Sequence, residues 1–157
     1  MLAACDPAHD DDVVLCNKTD VSVTVLPSQY SEQAAQDSTY YPRNENSTIA
    51  AGEEVAVINE GGIGHSSRDG CEQLLLQYLA DSVTFRFADG REVTYHSADT
   101  TDAISPYNLA SELFTYDEKL SRGLWFRGMP YYGRLTFSIT KEHLEAARTP
   151  VNDTISD

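Results

Sequence analysis

The stretch Val83-Thr84-Phe85-Arg86-Phe87-Ala88-Asp89-Gly90-Arg91-Glu92-Val93-Thr94-Tyr95 decides how the rest of the chain is read. Apolar and polar residues alternate on both sides of Ala88-Asp89-Gly90, and alternation is the period of a strand with one buried face. Asp-Gly between two such runs marks a hairpin, because these residue types can fill both positive-φ positions of a type I′ turn. The period places Phe85, Phe87, Val93 and Tyr95 on one core-facing side.

The same alternation recurs outward from the hairpin, in Val21–Leu26 (ended by Pro27), in Glu54–Asn59 and in Arg134–Ile139. Val13-Val14-Leu15-Cys16 reads as a further strand, expected to pair antiparallel with Val21–Leu26 across Asn17–Asp20. Helical spacing of Cys71, Leu74, Leu75, Tyr78 and Leu79 predicts a helix over 70–80, capped by Asp69. Ser105-Pro106 predicts the first turn of a short helix, and Thr140 caps another over 141–147. The fold class that follows is mostly β: an antiparallel Ig-like or related β-sandwich with two or three short helices. Residues 13–148 form the single domain, a size that buries a core without staples. An acidic tether over 1–12 is expected before it and a flexible tail over 149–157 after it.

Charge narrows the partners. Eleven Lys and Arg stand against 25 Asp and Glu, for a net charge of −14. A field of that sign repels phosphate backbones and anionic lipid headgroups, so neither nucleic acid nor electrostatic attachment to a membrane is expected. No apolar run approaches the ~20 residues of a membrane-spanning helix. Gly61-Gly62-Ile63-Gly64 lacks the Lys and Ser/Thr of a phosphate loop and reads as plain loop. His9-Asp10-Asp11-Asp12 lacks the Gly turn and terminal Glu of a calcium loop, so no metal and no cofactor is expected. The polar stretch 28–46 reads as a long loop, a class usually functional or mobile.

The N-terminal Leu2-Ala3-Ala4-Cys5 resembles the lipobox of bacterial lipoprotein signal peptides. That resemblance implies export, cleavage before Cys5 and a diacylglycerol on its thiol, which anchors the protein at the outer membrane or cell surface. Only Met1 precedes the box where a leader carries basic and apolar segments, so a trimmed sequence or an upstream start codon is expected. The acidic residues after Cys5, the 81–91 hairpin and the closing 134–147 segment resemble small uncharacterised lipoproteins of Bacteroidetes-type bacteria. The resemblance covers about half the chain and implies an exported β domain without assigning an active site. With Cys5 lipidated, Cys16 and Cys71 remain as an even pair in an oxidising compartment, and a disulfide between them is expected; the alternative is two buried free thiols.

Function is read from what is left. Trp125-Phe126 and Tyr131-Tyr132, interrupted by Gly128 and Pro130, either fill the core or form an aromatic ligand-binding surface. The second option points to a non-enzymatic binding module for a glycan or an envelope protein. A structural or assembly lipoprotein without a small ligand is the alternative. His65, His96 and His143 among many carboxylates leave a hydrolase as the remaining reading, with His143 expected to face solvent.

Overall fold

The computed structural model describes residues 8–28, 46–63, 66–120 and 131–150. Among these residues, eight strands and two helices follow in the order β1 (Ala8–Asn17), β2 (Val23–Pro27), β3 (Ser47–Ile49), β4 (Glu54–Ile63), α1 (Arg68–Leu79), β5 (Ser82–Phe87), β6 (Glu92–His96), β7 (Phe114–Leu120), β8 (Tyr131–Ile139) and α2 (Lys141–Ala146). The strands make two four-stranded sheets, β4-β1-β8-β7 and β3-β2-β5-β6. The chain is therefore mostly β and sandwich-like.

Alternation in each strand supplies the core. Val13 and Leu15 of β1 and Leu135, Phe137 and Ile139 of β8 are buried on one side of the first sheet. Val23 and Val25 of β2 and Val83, Phe85 and Phe87 of β5 come from the second, and all join one cluster. Phe85 and Phe137 meet across the two sheets with ring centroids 6.4 Å apart. Each such side chain contributes roughly 1.5–3 kcal/mol on burial, which gives the sheets their reason to stack. Helix α1 lies against β8, β1 and β4 and inserts Cys71, Leu75, Tyr78 and Leu79.

The 82–96 hairpin forms with the expected residues inside: Phe85, Phe87 and Tyr95 are buried and Val93 packs against them. Its turn is not type I′. Gly90 (φ 87°) has positive φ and Asp89 does not. The Gly90 N–H bonds the Phe87 carbonyl and the Phe87 N–H bonds the Arg91 carbonyl, the pattern of a three-residue loop ending in a left-handed glycine.

Several expectations are corrected. β1 and β2 do not pair with each other, since they belong to different sheets. The reason is Asn17, wholly buried at the corner between them. Its amide donates to the carbonyls of Val21, Ile49 and Ala50, and its Oδ1 accepts from the Thr19 N–H and hydroxyl. Those bonds turn the chain into the other sheet instead of a hairpin. The sheets are also not wholly antiparallel, because β1 runs parallel to β8. Residues 8–12 are not tether but the first half of β1, paired to both β4 and β8. Gly61-Gly62-Ile63 continues β4 and is not loop. Residues 105–109 form successive turns, with the Ser105 hydroxyl accepting from the Tyr107 N–H, and not a helix. Helix α1 starts two residues early, and its cap is Ser67, whose hydroxyl accepts from the Gly70 N–H.

Candidate functional site

Alternation gives the β4-β1-β8-β7 sheet a second face, turned away from the core. On β8, Leu135, Phe137 and Ile139 point inward, so Tyr132, Arg134, Thr136 and Ser138 point outward. Register sets their neighbours. Arg134 stands between Asp12 of β1 and Asp117 of β7, Thr136 between Val14 and Thr115, and Ser138 beside Cys16. Apart from Asp12 and Val14, these residues line, with Lys18 and Glu54, a cleft of about 370 Å³. That volume lies within the ~300–1,000 Å³ range of ligand sites.

The cleft's larger side chains are held in place. The Tyr132 hydroxyl donates to the Asp12 carboxylate, which also accepts from the Asn59 amide. Arg134 donates to Glu54 in an ion pair. The bond to Asp12 is the main reason the Tyr132 phenol is pushed above its ordinary value, with desolvation adding to it, so it stays protonated. A ring and a guanidinium fixed by such bonds lose less freedom when a ligand arrives. The lining offers hydroxyl, carboxylate, ammonium and guanidinium groups around one aromatic ring. That is hydrogen-bonding and stacking chemistry.

A second polar cluster lies on the inner side, where β1 passes under the start of α1. His9 Nε2 is 3.3 Å from Asp11 Oδ2. Asp11 is 6% exposed, and its Oδ1 has no hydrogen-bond partner among the described residues, as is true of Tyr116 Oη. Both atoms lie within 3.0 Å of the point a Cβ on Gly133 would occupy. Gly62 makes similar room, since a Cβ there would sit 2.5 Å from the His9 ring. Burial first, and then the charge of Asp11, pushes the Cys71 thiol up to about 12. Tyr116 rises to about 12, again by desolvation first. Thiol and phenol are thus protonated at neutral pH, and neither is an activated nucleophile.

Cys16 and Cys71 are both free and buried, which corrects the expected disulfide. Cys16 lies on the outer face of β1. Cys71 faces Asp11 from the inner side, five residues along the strand, or about 17 Å at strand rise. A disulfide needs Cα atoms within about 7 Å.

His143 is also not solvent-facing. It is 0% exposed, against Phe85, Tyr95 and Phe137, with its Nδ1 accepting from the Thr140 N–H and its Nε2 2.8 Å from the Ile104 carbonyl. His96 is exposed at the end of β6. Cys5, His65, Trp125 and Phe126 lie outside the described residues. Tyr131 opens β8 opposite His9, and its side chain is likewise outside them. Of the proposed aromatic surface, the cleft therefore contains Tyr132. The other lining residues were missed in sequence, although their i, i+2 spacing on β8 carries the signal. The His9–Asp11 cluster is hidden in the sequence because 8–12 is an acidic run without hydrophobic periodicity. No groups of three or more His, Cys, Asp or Glu that could hold a metal occur among the described residues. No protein family matches the chain, and no curated protein or solved structure matches it.

Proposed function

We propose that the chain is a non-enzymatic binding module that holds a glycan on the outer face of the β4-β1-β8-β7 sheet, displayed at the cell envelope by a lipid on Cys5. The observation that carries this reading is the outer-face cleft, in which Tyr132 and Arg134 are fixed by Asp12 and Glu54 among further hydroxyl and charged groups. Sugars present hydroxyls at their edges and apolar C–H patches on their faces, and a tyrosine ring ringed by hydrogen-bonding side chains matches both. The Ig-like subclass belongs to the same proposal, supported by two stacked sheets of short strands joined partly by tight turns.

Leu2-Ala3-Ala4-Cys5 supports the anchor and its kinship with Bacteroidetes-type lipoproteins. Cys5 lies three residues before β1, so a lipid there holds the His9 end of the sheet within about 10 Å of the membrane interface. Labelled fatty acid should enter the wild-type protein expressed in a lipoprotein-processing host and be absent from Cys5→Ser; equal labelling contradicts the anchor. For the site, a glycan array with the full chain should give hits that Tyr132→Ala weakens at least tenfold. Hits that survive Tyr132→Ala unchanged, or capture of a protein in place of any glycan, overturn the proposal.

A further inference from the structure

We infer that the domain carries tension, with the parallel ladder between β1 and β8 as the element that bears it. These are the first and last strands among the described residues, and they lie side by side. They are paired without a break from His9↔Tyr131 to Asn17↔Ile139. Because the two strands run parallel, a pull on the start of β1 and the end of β8 acts along both in opposite directions. Every hydrogen bond of the ladder then lies across the pull, so the bonds share the load and yield together. An antiparallel pair loaded at two adjacent ends opens one bond at a time instead.

The place of these strands in the sheet adds to the resistance. In the order β4-β1-β8-β7 they are the inner pair, so neither can be peeled from an edge. Sliding β1 also breaks its ladder with β4, which runs from Ala8↔Ile63 to Cys16↔Glu54. Side chains on the outer face tie the same strands. Tyr132 of β8 and Asn59 of β4 both donate to Asp12 of β1, and Arg134 of β8 reaches over β1 to Glu54 of β4. Beyond β8 the chain is held at the edge strand β6, by the Glu92↔Arg148 bridge and the bond from Arg91 to the Leu144 carbonyl. Those contacts peel singly from the chain end, and the load then falls on Ile139. In the arrangement proposed above, the lipid on Cys5 pulls β1 and a ligand on the outer face pulls β8, so this ladder joins anchor to ligand. The inference itself stands on the strand topology, and neither of those readings enters its test.

Single-molecule pulling of the full chain, in two geometries at one pulling speed, is that test. Handles at the first and last residues shear the β1–β8 ladder. Moving the first handle to position 112, an exposed glutamate just before β7, makes the load open the antiparallel β7–β8 pair from its Phe114↔Phe137 end. The two labelled chains are matched for urea midpoint, since forced unfolding reads the barrier along the pull and not the equilibrium stability. The sheared geometry should give one main rupture at a force severalfold above that of the opening geometry. Equal rupture forces in the two geometries overturn the inference, as does end-to-end unfolding in a series of small steps.

Discussion

His143 shows how much one side chain ties together. It occupies the position of the capping-box acid in α2: its Nδ1 accepts the Thr140 N–H at 2.9 Å, which leaves Nε2 to carry the proton toward the Ile104 carbonyl. Three aromatic rings surround it with centroids 5.5–5.8 Å away. Burial holds its pKa below the ordinary 6.5, against the pull of the Ile104 carbonyl, Glu142 and Asp102. The unfolded chain therefore takes up a proton near pH 6.5 that the folded chain refuses. Stability from this group is fully present above pH 6.5 and declines as pH falls below it, by up to ~1.4 kcal/mol per pH unit. Urea denaturation from pH 7.5 to 5 should show that decline in the wild type, and His143→Gln should remove its share. An identical pH dependence in both contradicts the placement of the imidazole. Sequence could not reveal this burial, because Lys141-Glu142-His143-Leu144-Glu145 reads as a polar terminal helix. The position of His143 at N3, beside the capping Thr140, was the available sign.

At the scale of elements, β1 and β8 organise the sheet, and Gly133 of β8 records their close approach. A methyl group on Gly133 would lie 2.8 Å from Ser66 Cβ, 2.9 Å from Asp11 Oδ1 and 3.0 Å from Tyr116 Oη. Backbone-attached Ser66 Cβ cannot swing aside, so Gly133→Ala should destabilise by about 1–3 kcal/mol, measured by the denaturant midpoint. A neutral effect contradicts the packing of β8 against β1 and the start of α1. How legible each element was follows from its chemistry. β2, β5, β6 and the 134–139 part of β8 alternate cleanly, because one face meets the core and the other is polar. The first half of β1 was hidden by Asp10-Asp11-Asp12, where even the inward residue is a carboxylate. β7 was missed because Asp117-Glu118-Lys119 looks like a solvated run, although Phe114 and Tyr116 keep the period on its inner side. The β1–β8 pairing joins the two ends of the domain, and no local signal encodes a partner more than a hundred residues away.

For the whole molecule, the core stands without covalent staples among the described residues. Cys16 and Cys71 lie on opposite sides of one sheet. Mass spectrometry after denaturation and alkylation without reductant should find both modified, and reductant should leave the melting temperature unchanged. A linked peptide pair contradicts the sheet assignment of one cysteine or the other. The central claim is that the molecule's working surface is the outer face of the β4-β1-β8-β7 sheet. Backbone NMR shift mapping, with a glycan selected on the array titrated into the labelled full chain, tests it most directly. The perturbed amides should cluster at 115–117 and 132–138, on β7 and β8, and disappear in Tyr132→Ala. Perturbations centred instead on the second cleft, lined by Ile104, Asn108, Leu113 and Glu142, would contradict it.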